Sequence, residues 1–319
     1  MKKIIVLLSA LVASATIAFA QNDFVLTEQL FSRIAVNPAG TGNDENVNIF
    51  SLNRFQYAGA DGAPFSTLLN VHGYFDKANS GVGLTFSYDG SGIAYNQIQV
   101  RGVYAYHLNF ENKHLLSLGV GVGVVIKTFD PEKHILVDED ERGDGFYDKY
   151  TCKGSFDASF GIEYSMPYFM AGASINHIPG FFIKEEDLTS LSSTPTYHIY
   201  ARGFIPVSEK VKLAPAASYY YTGQSHVVDV NVTGFFGKMF WAGIGYRTLA
   251  TPYVNVGLEW EWLRVGYSFD LNVGKLSEVA WTSHEIMLSF NIPTKKNKSE
   301  EKLLTSSDIE KENSEETEK

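Results

Sequence analysis

The feature that most constrains this chain is an alternation of apolar and polar residues that recurs in successive short segments along most of its length. Leu263, Val265, Tyr267, Phe269 and Leu271 alternate with Arg264, Gly266, Ser268 and Asp270. Successive side chains of a strand point to opposite faces, so such a segment carries one greasy face and one polar face. A half-buried soluble sheet shows the same pattern. Here the repeats follow a secretory signal, and the combination reads as a transmembrane β-barrel.

That signal is the segment 1–20. Lys2 and Lys3 form its charged start, Ile4 to Ala15 its apolar stretch, and Ala18-Phe19-Ala20 its cleavage site. The mature chain is expected to begin near Gln21, and a Gln there argues against a lipoprotein anchor. No later run reaches the roughly 18 apolar residues of a membrane helix, so any membrane residence must come from strands. The formal charge of -10 argues against nucleic acid as a partner. Cys152 stands alone, which excludes an intramolecular disulfide and a Cys-rich metal site. The 18 Tyr and 22 Phe suit interfacial girdles, and would also suit a β-sandwich.

Strands are expected near 46–56, 65–75, 81–88, 94–109, 114–128, 154–164, 168–176, 196–205, 211–221, 227–236, 239–247, 252–260, 262–270 and 283–292. The connections alternate in length. Those at 77–80, 110–113, 165–167, 206–210, 237–238 and 261 are short; those at about 129–153, 177–195 and 271–282 are long. Loops sorted by length onto two rims describe an outer-membrane barrel whose short turns face the periplasm. The expected fold class is therefore all-β: an antiparallel up-and-down transmembrane β-barrel of about fourteen strands, outer-membrane type, spanning 45–292 with both termini periplasmic.

The faces follow from parity. Leu116, Leu118, Val120, Val122, Val124 and Ile126 are expected outside, with Ser117, Gly119, Gly121, Gly123, Val125 and Lys127 inside. Ile98, Val100, Tyr104, Tyr106, Val254, Val256, Leu258, Ile286, Leu288 and Phe290 are likewise outward, while Arg101, His107, Asn255, Glu285, Met287 and Ser289 are inward. The inward ions Arg54, Arg101, Lys127, Glu259, Arg264 and Asp270 either line a channel or pair with one another. Trp241, Trp260 and Trp262 all lie beside short turns and are expected in an aromatic girdle at that rim. Residues 21–44 have no clear period, yet they carry Phe24, Leu26, Leu30, Phe31, Ile34 and Val36, too apolar for a free tail. They are expected as a plug or periplasmic segment at the short-turn mouth. Pro293 ends the last strand, and 293–319 is a charged, low-hydrophobicity tail: a solvated end or a docking segment.

Little in the chain carries chemistry. Asp138 and Asp140 fit the start of a calcium loop, but Arg142 takes the next alternating ligand position, so a solvated acidic loop at 138–145 is preferred. The histidines, among them His72, His107, His134, His177, His198, His226 and His284, fall in no ligand spacing. No nucleophile elbow or phosphate loop is present. No catalytic, cofactor or metal residue is assigned.

Several stretches stand in a recognisable order. Asn37-Pro38-Ala39-Gly40 follows a short segment containing Phe31. Arg54-x-Gln56-Tyr57-x-Gly59 precedes Gly62-Ala63-Pro64, and Gly81-Val82-Gly83 precedes Asp89 and Gly92. Tyr104-Ala105-Tyr106-His107-Leu108 leads to Leu116-Ser117-Leu118-Gly119. Leu263-Arg264-x-Gly266-Tyr267-Ser268-Phe269-Asp270 and Ser283-His284-Glu285-Ile286-Met287-Leu288 close the series. Over about 24–292 this resembles the PorP/SprF family, outer-membrane barrels of the type IX secretion and gliding machinery in Gram-negative Bacteroidetes. Tyr57 departs from the family, which commonly has Trp there.

The resemblance implies a non-enzymatic protein without cofactor, aiding export or surface attachment of large adhesin-like proteins. It implies as partners other type IX secretion components on the periplasmic side, a large secreted surface protein as cargo, and the lipid bilayer. It marks Asn37, Pro38, Arg54, Gln56, Gly62, Pro64, Asp89, Arg264, Gly266, Asp270, His284 and Glu285 as motif positions without a stated role. Structural readings stand beside them: Gly62-Ala63-Pro64 as a turn, Gly266 as relief of crowding, His284-Glu285 as strand-start residues. The competing functions are a general porin or small-solute outer-membrane channel, and an outer-membrane enzyme.

Overall fold

The computed structural model describes residues 25–43, 46–60, 62–91, 95–110, 113–129, 150–151, 154–182, 193–222, 225–237, 239–248, 251–260, 262–273, 277 and 281–293. The signal segment, the acidic loop 138–145 and the tail 294–319 lie outside these residues.

The strands are β1 (Val47–Phe55), β2 (Phe65–Phe75), β3 (Ser80–Ser91), β4 (Tyr95–Phe110), β5 (His114–Phe129), β6 (Tyr150–Thr151), β7 (Ser155–Met166) and β8 (Phe169–Asn176). They continue with β9 (Thr196–Gly203), β10 (Ile205–Ser208), β11 (Val211–Tyr221), β12 (His226–Phe236), β13 (Phe240–Arg247), β14 (Thr251–Glu259), β15 (Leu263–Leu271) and β16 (Thr282–Ile292). Fourteen are long; β6 only extends the partner of β5, and β10 continues β9 beyond a break at Phe204. Every long strand pairs antiparallel with its neighbours in chain order, and β16 pairs with β1 from Val47↔Ile292 to Phe55↔His284. The sheet is thereby closed, and no long strand leaves a free edge. Among the described residues no helix is long and apolar enough to cross a membrane.

The two rims differ. Tight connections join β2 to β3, β4 to β5, β7 to β8, β12 to β13 and β14 to β15 at one end. Chain also enters β1 and leaves β16 at that end. The opposite rim carries the stretches between β8 and β9 and between β15 and β16.

The wall separates polarity as the alternation requires. Leu118, Val120, Val122, Val124 and Ile126 face out, while Ser117, Val125 and Lys127 are buried inside. Ile286, Leu288 and Phe290 face out, and Glu285, Met287 and Ser289 in. A charge on the outward set would cost roughly 2–4 kcal/mol at mid-bilayer, and the exposed large residues there are aliphatic or aromatic.

The tryptophan girdle needs correction. Trp260 and Trp262 are exposed beside the short turn between β14 and β15, but Trp241 is fully buried inside the barrel. Its parity decides this: Phe240 faces out, so Trp241 faces in, on the same side as Arg247 at the other end of β13. The indole packs 5.2 Å from the Phe31 ring.

Candidate functional site in the barrel lumen

The lumen is occupied by residues 25–43, three short 3-10 turns (Gln29–Phe31, Arg33–Ala35 and Pro38–Gly40) joined into one inner segment. Leu26, Leu30 and Ile34 are buried. Leu26 packs with the inward-facing Phe50, Leu52, Leu68, Trp241 and Met287. Leu30 packs with Met170, Tyr200, Phe204, Ala214 and Ala216. Each such burial is worth roughly 1.5–3 kcal/mol. These apolar patches on the inner face of a barrel exist because the plug covers them.

The Asn37-Pro38-Ala39-Gly40 motif is the turn by which the plug meets the wall. Asn37 Oδ1 accepts from Ala39 N at 2.9 Å and caps the turn, with Pro38 at its first position. Asn37 Nδ2 donates to Ile162 O at 3.0 Å and Tyr200 Oη at 3.1 Å. The wall opposite is glycine, because backbone approaches backbone there. A Cβ at Gly119 would lie 2.2 Å from Ala39 N, one at Gly161 1.9 Å from Asn37 Oδ1, and one at Gly81 2.1 Å from Thr41 O. Gly42 N donates to His72 Nδ1 at 3.1 Å, and His107 Nε2 lies 2.9 Å from Thr41 O.

Two charged groups of wall residues hold the plug. Arg33 Nε donates to Glu163 Oε2 at 2.8 Å, and Asn43 and the Tyr200 hydroxyl also donate to that carboxylate. On the other side of the plug, Arg54 Nη1 meets Asp270 Oδ2 at 2.9 Å and also pairs with Glu285, its direct cross-strand neighbour. Arg247 Nη1 reaches the same Asp270 oxygen at 3.3 Å, and its Nε reaches Asp229 at 3.2 Å. The Glu285 carboxylate accepts from Thr27 N at 2.9 Å and Glu28 N at 3.2 Å, so a turn of the plug cradles a wall carboxylate. Arg54, Arg247 and Asp270 stand within one residue of the ends of β1, β13 and β15 that lie away from the rim where the chain enters β1. The described plug therefore reaches well past the short-turn mouth where the sequence placed it, drawn there by donors that satisfy Glu285.

The inward ions pair with one another. Arg101 Nη2 meets Asp157 at 3.1 Å, His177 Nδ1 meets it at 2.8 Å, and Arg264 Nη2 meets Glu259 at 2.7 Å. Buried charges are tolerated only with such partners. Among the described residues no group of three or more His, Cys, Asp or Glu side chains is arranged for a metal ion.

The twelve motif positions thus divide. Arg54, Asp270 and Glu285 form one cluster, and Asn37 and Pro38 form the plug turn. Gly266 and Arg264 surround Trp241: a Cβ on Gly266 would sit 3.1 Å from the indole, and the Arg264 guanidinium lies 5.3 Å from the Phe31 ring centre. Asp89 accepts from Ser66 at 2.5 Å. Gln56 N donates to Pro64 O at 3.0 Å, and Gly62 has φ of +70°, closing the first connection as a turn. His284 and Glu285 are adjacent but on opposite faces: His284 contacts Tyr267 Oη at 2.7 Å on the outside. Thr27, Glu28, Arg33, Glu163, Arg247 and Asp229 were not singled out from the sequence. For the wall members, parity with a known inward residue was the available signal; for the plug members there was no period to use.

A family model described as "Type IX secretion system membrane protein PorP/SprF" matches residues 18–290. The chain is similar in structure to the Ralstonia pickettii toluene transporter TbuX, at 9% identity and a TM-score of 0.51 over 82% of this chain and 93% of that one. It is also similar to the CymD monoaromatic hydrocarbon channel, at 12% identity and a TM-score of 0.54 over 87% and 95%. At these identities the likeness shows the outer-membrane barrel fold alone. No curated protein matches the chain.

Proposed function

The chain belongs to the PorP/SprF family of type IX secretion system membrane proteins, and on that premise we propose that it is a non-conducting, non-enzymatic outer-membrane component of that system. It aids the export or surface attachment of large adhesin-like proteins. The observation that carries the non-conducting part is the plug at 25–43, seated by Asn37, Arg33 and the Glu285 cradle. A filled barrel is suited to meeting partners at its rims rather than passing them through its middle. The short-turn rim faces the periplasm in this reading, as the sorting of connections favours. Both ends of the barrel then lie on the side where other secretion components are met.

The test is a deletion strain compared with its parent by surface and culture-fluid proteomics and by uptake of small sugars and antibiotics. The expected result is loss of one or a few large surface proteins with uptake unchanged. Slowed uptake with an unchanged surface proteome would support a small-solute channel, the role that the names of TbuX and CymD carry for those proteins.

A further inference from the structure

The plug is attached to the wall differently from the way strands attach to one another. Among the described residues, every backbone–backbone hydrogen bond made by 25–43 stays within the segment, for example Phe31 N to Glu28 O and Gly40 N to Asn37 O. Its links to the wall run through side chains. The wall itself closes by its own ladders, without a plug residue in any of them. The segment is thus held as a ligand is held.

One of its anchors carries too many carboxyl groups. Glu28 is fully buried beside Glu285. Its Oε1 accepts from Ser268 at 3.2 Å and the Asn255 side chain also faces the carboxyl, while Oε2 makes no hydrogen bond among the described residues. The charged and titratable groups packed around this point are Arg54 on β1, Arg202 on β9, Asp229 on β12, Arg247 on β13, Tyr253 on β14, Asp270 on β15 and Glu285 on β16. Arg54 and Arg247 are both engaged by Asp229, Asp270 and Glu285. Arg202 attracts this fourth carboxylate more weakly than Glu285 repels it, and Glu285 already holds the main-chain donors of Thr27 and Glu28.

We propose that the plug is a proton-latched, releasable ligand of the lumen: Glu28 docks as the neutral acid, and its deprotonation loosens residues 25–43 from the wall. The chemistry agrees. Burial, reinforced by the Glu285 carboxylate, pushes the Glu28 carboxyl up to about 8 from 4.5. The docked form therefore holds a proton that the released form gives up. Docking is strongest near and below pH 4.5, weakens about tenfold per pH unit as pH rises from there, and levels off above about 8. The latch stands on the lumen geometry and is independent of the secretion role.

The test is hydrogen exchange of the peptide covering 25–43 in the full-length protein in bilayer discs, corrected for the intrinsic pH dependence of exchange. In the wild type, protection should fall about a hundredfold between pH 5.5 and 7.5, while wall strands such as β4 and β5 hold theirs. Glu28→Gln, a permanent mimic of the neutral acid, should keep the plug protected and make its protection flat over that range. Should that variant fail to assemble, infrared spectroscopy of the wild type at pH 6.5 reads the same group. A buried protonated carboxyl band that disappears above pH 9 supports the latch. Absence of that band, plug protection independent of pH in the wild type, or an unchanged pH dependence in Glu28→Gln would each overturn it.

Discussion

The wall and the plug of this protein are made by opposite means. The wall is a repeated local pattern: Leu118, Val120 and Val122 out, Ser117, Gly119 and Gly121 in, with registered ladders that satisfy each strand's backbone. At most outward wall positions the shared requirement is an apolar side chain. The plug has no period, and among the described residues its backbone bonds to its own backbone and to wall side chains, never to the wall's backbone. It depends on individual groups: one Asn, one Arg, and a few glycines that leave room. A membrane wall can be specified statistically, whereas a lumenal ligand has to be specified residue by residue. Substitutions should therefore separate the two.

The largest effect is expected where both regions share a group. Arg54→Met leaves Asp270 and Glu285 without a common cation. Breaking a buried pair in this way costs about 3–5 kcal/mol. Unfolding of the barrel in lipid should shift by that amount, and exchange at 25–43 should accelerate as well. A shift under about 1 kcal/mol would mean that Arg247 alone balances the cluster.

Next comes an outward charge. Leu118→Arg should cost roughly 2–4 kcal/mol near mid-bilayer and lower the assembled fraction in membranes, with the plug unaffected in whatever assembles. Ser117→Arg points into the filled lumen beside His107, whose ring meets Thr41 of the plug. It should leave assembly largely intact but dislodge the plug. Equal loss of assembly from both variants would dissolve the distinction between the two regions.

Gly119→Val should act on the plug by itself. Its Cβ would press on Ala39 N at 2.2 Å, and overpacking of this kind costs about 1–3 kcal/mol. Proteolysis or exchange should find 25–43 released while the wall strands stay protected. The smallest effect is expected for His284→Ala, which removes one outward contact with Tyr267. It should change stability by no more than about 1 kcal/mol, despite its place in a family motif next to Glu285.

How much of this was legible in the sequence follows from the same contrast. The fourteen long strands, the sorted connections and the outward faces were readable, because alternation is a property of each segment by itself. Trp241 was misplaced because proximity to a short turn was weighed above parity with Arg247. The inner cluster was half legible. Arg54, Asp270 and Glu285 could be assigned to the lumen, but their meeting needs the register Arg54↔Glu285 across the seam between the first and last strands. The strongest missed sign of a plug lies in β1, where Phe50 and Leu52 face inward and Ser51 and Asn53 outward, against the polarity of the other strands. An inner face that is apolar in one sector implies that something apolar covers it, and Leu26 does.

The claim that this is a closed wall around a separately held plug is tested most directly by single-channel conductance in planar bilayers at pH 6. The full-length chain and a variant lacking residues 25–43 would be compared. The account predicts a silent full-length barrel and stable openings from the deletion variant, which should still insert because no wall ladder uses the plug. Steady wide conductance from the full-length protein, or an inserted deletion variant that stays silent, would contradict it.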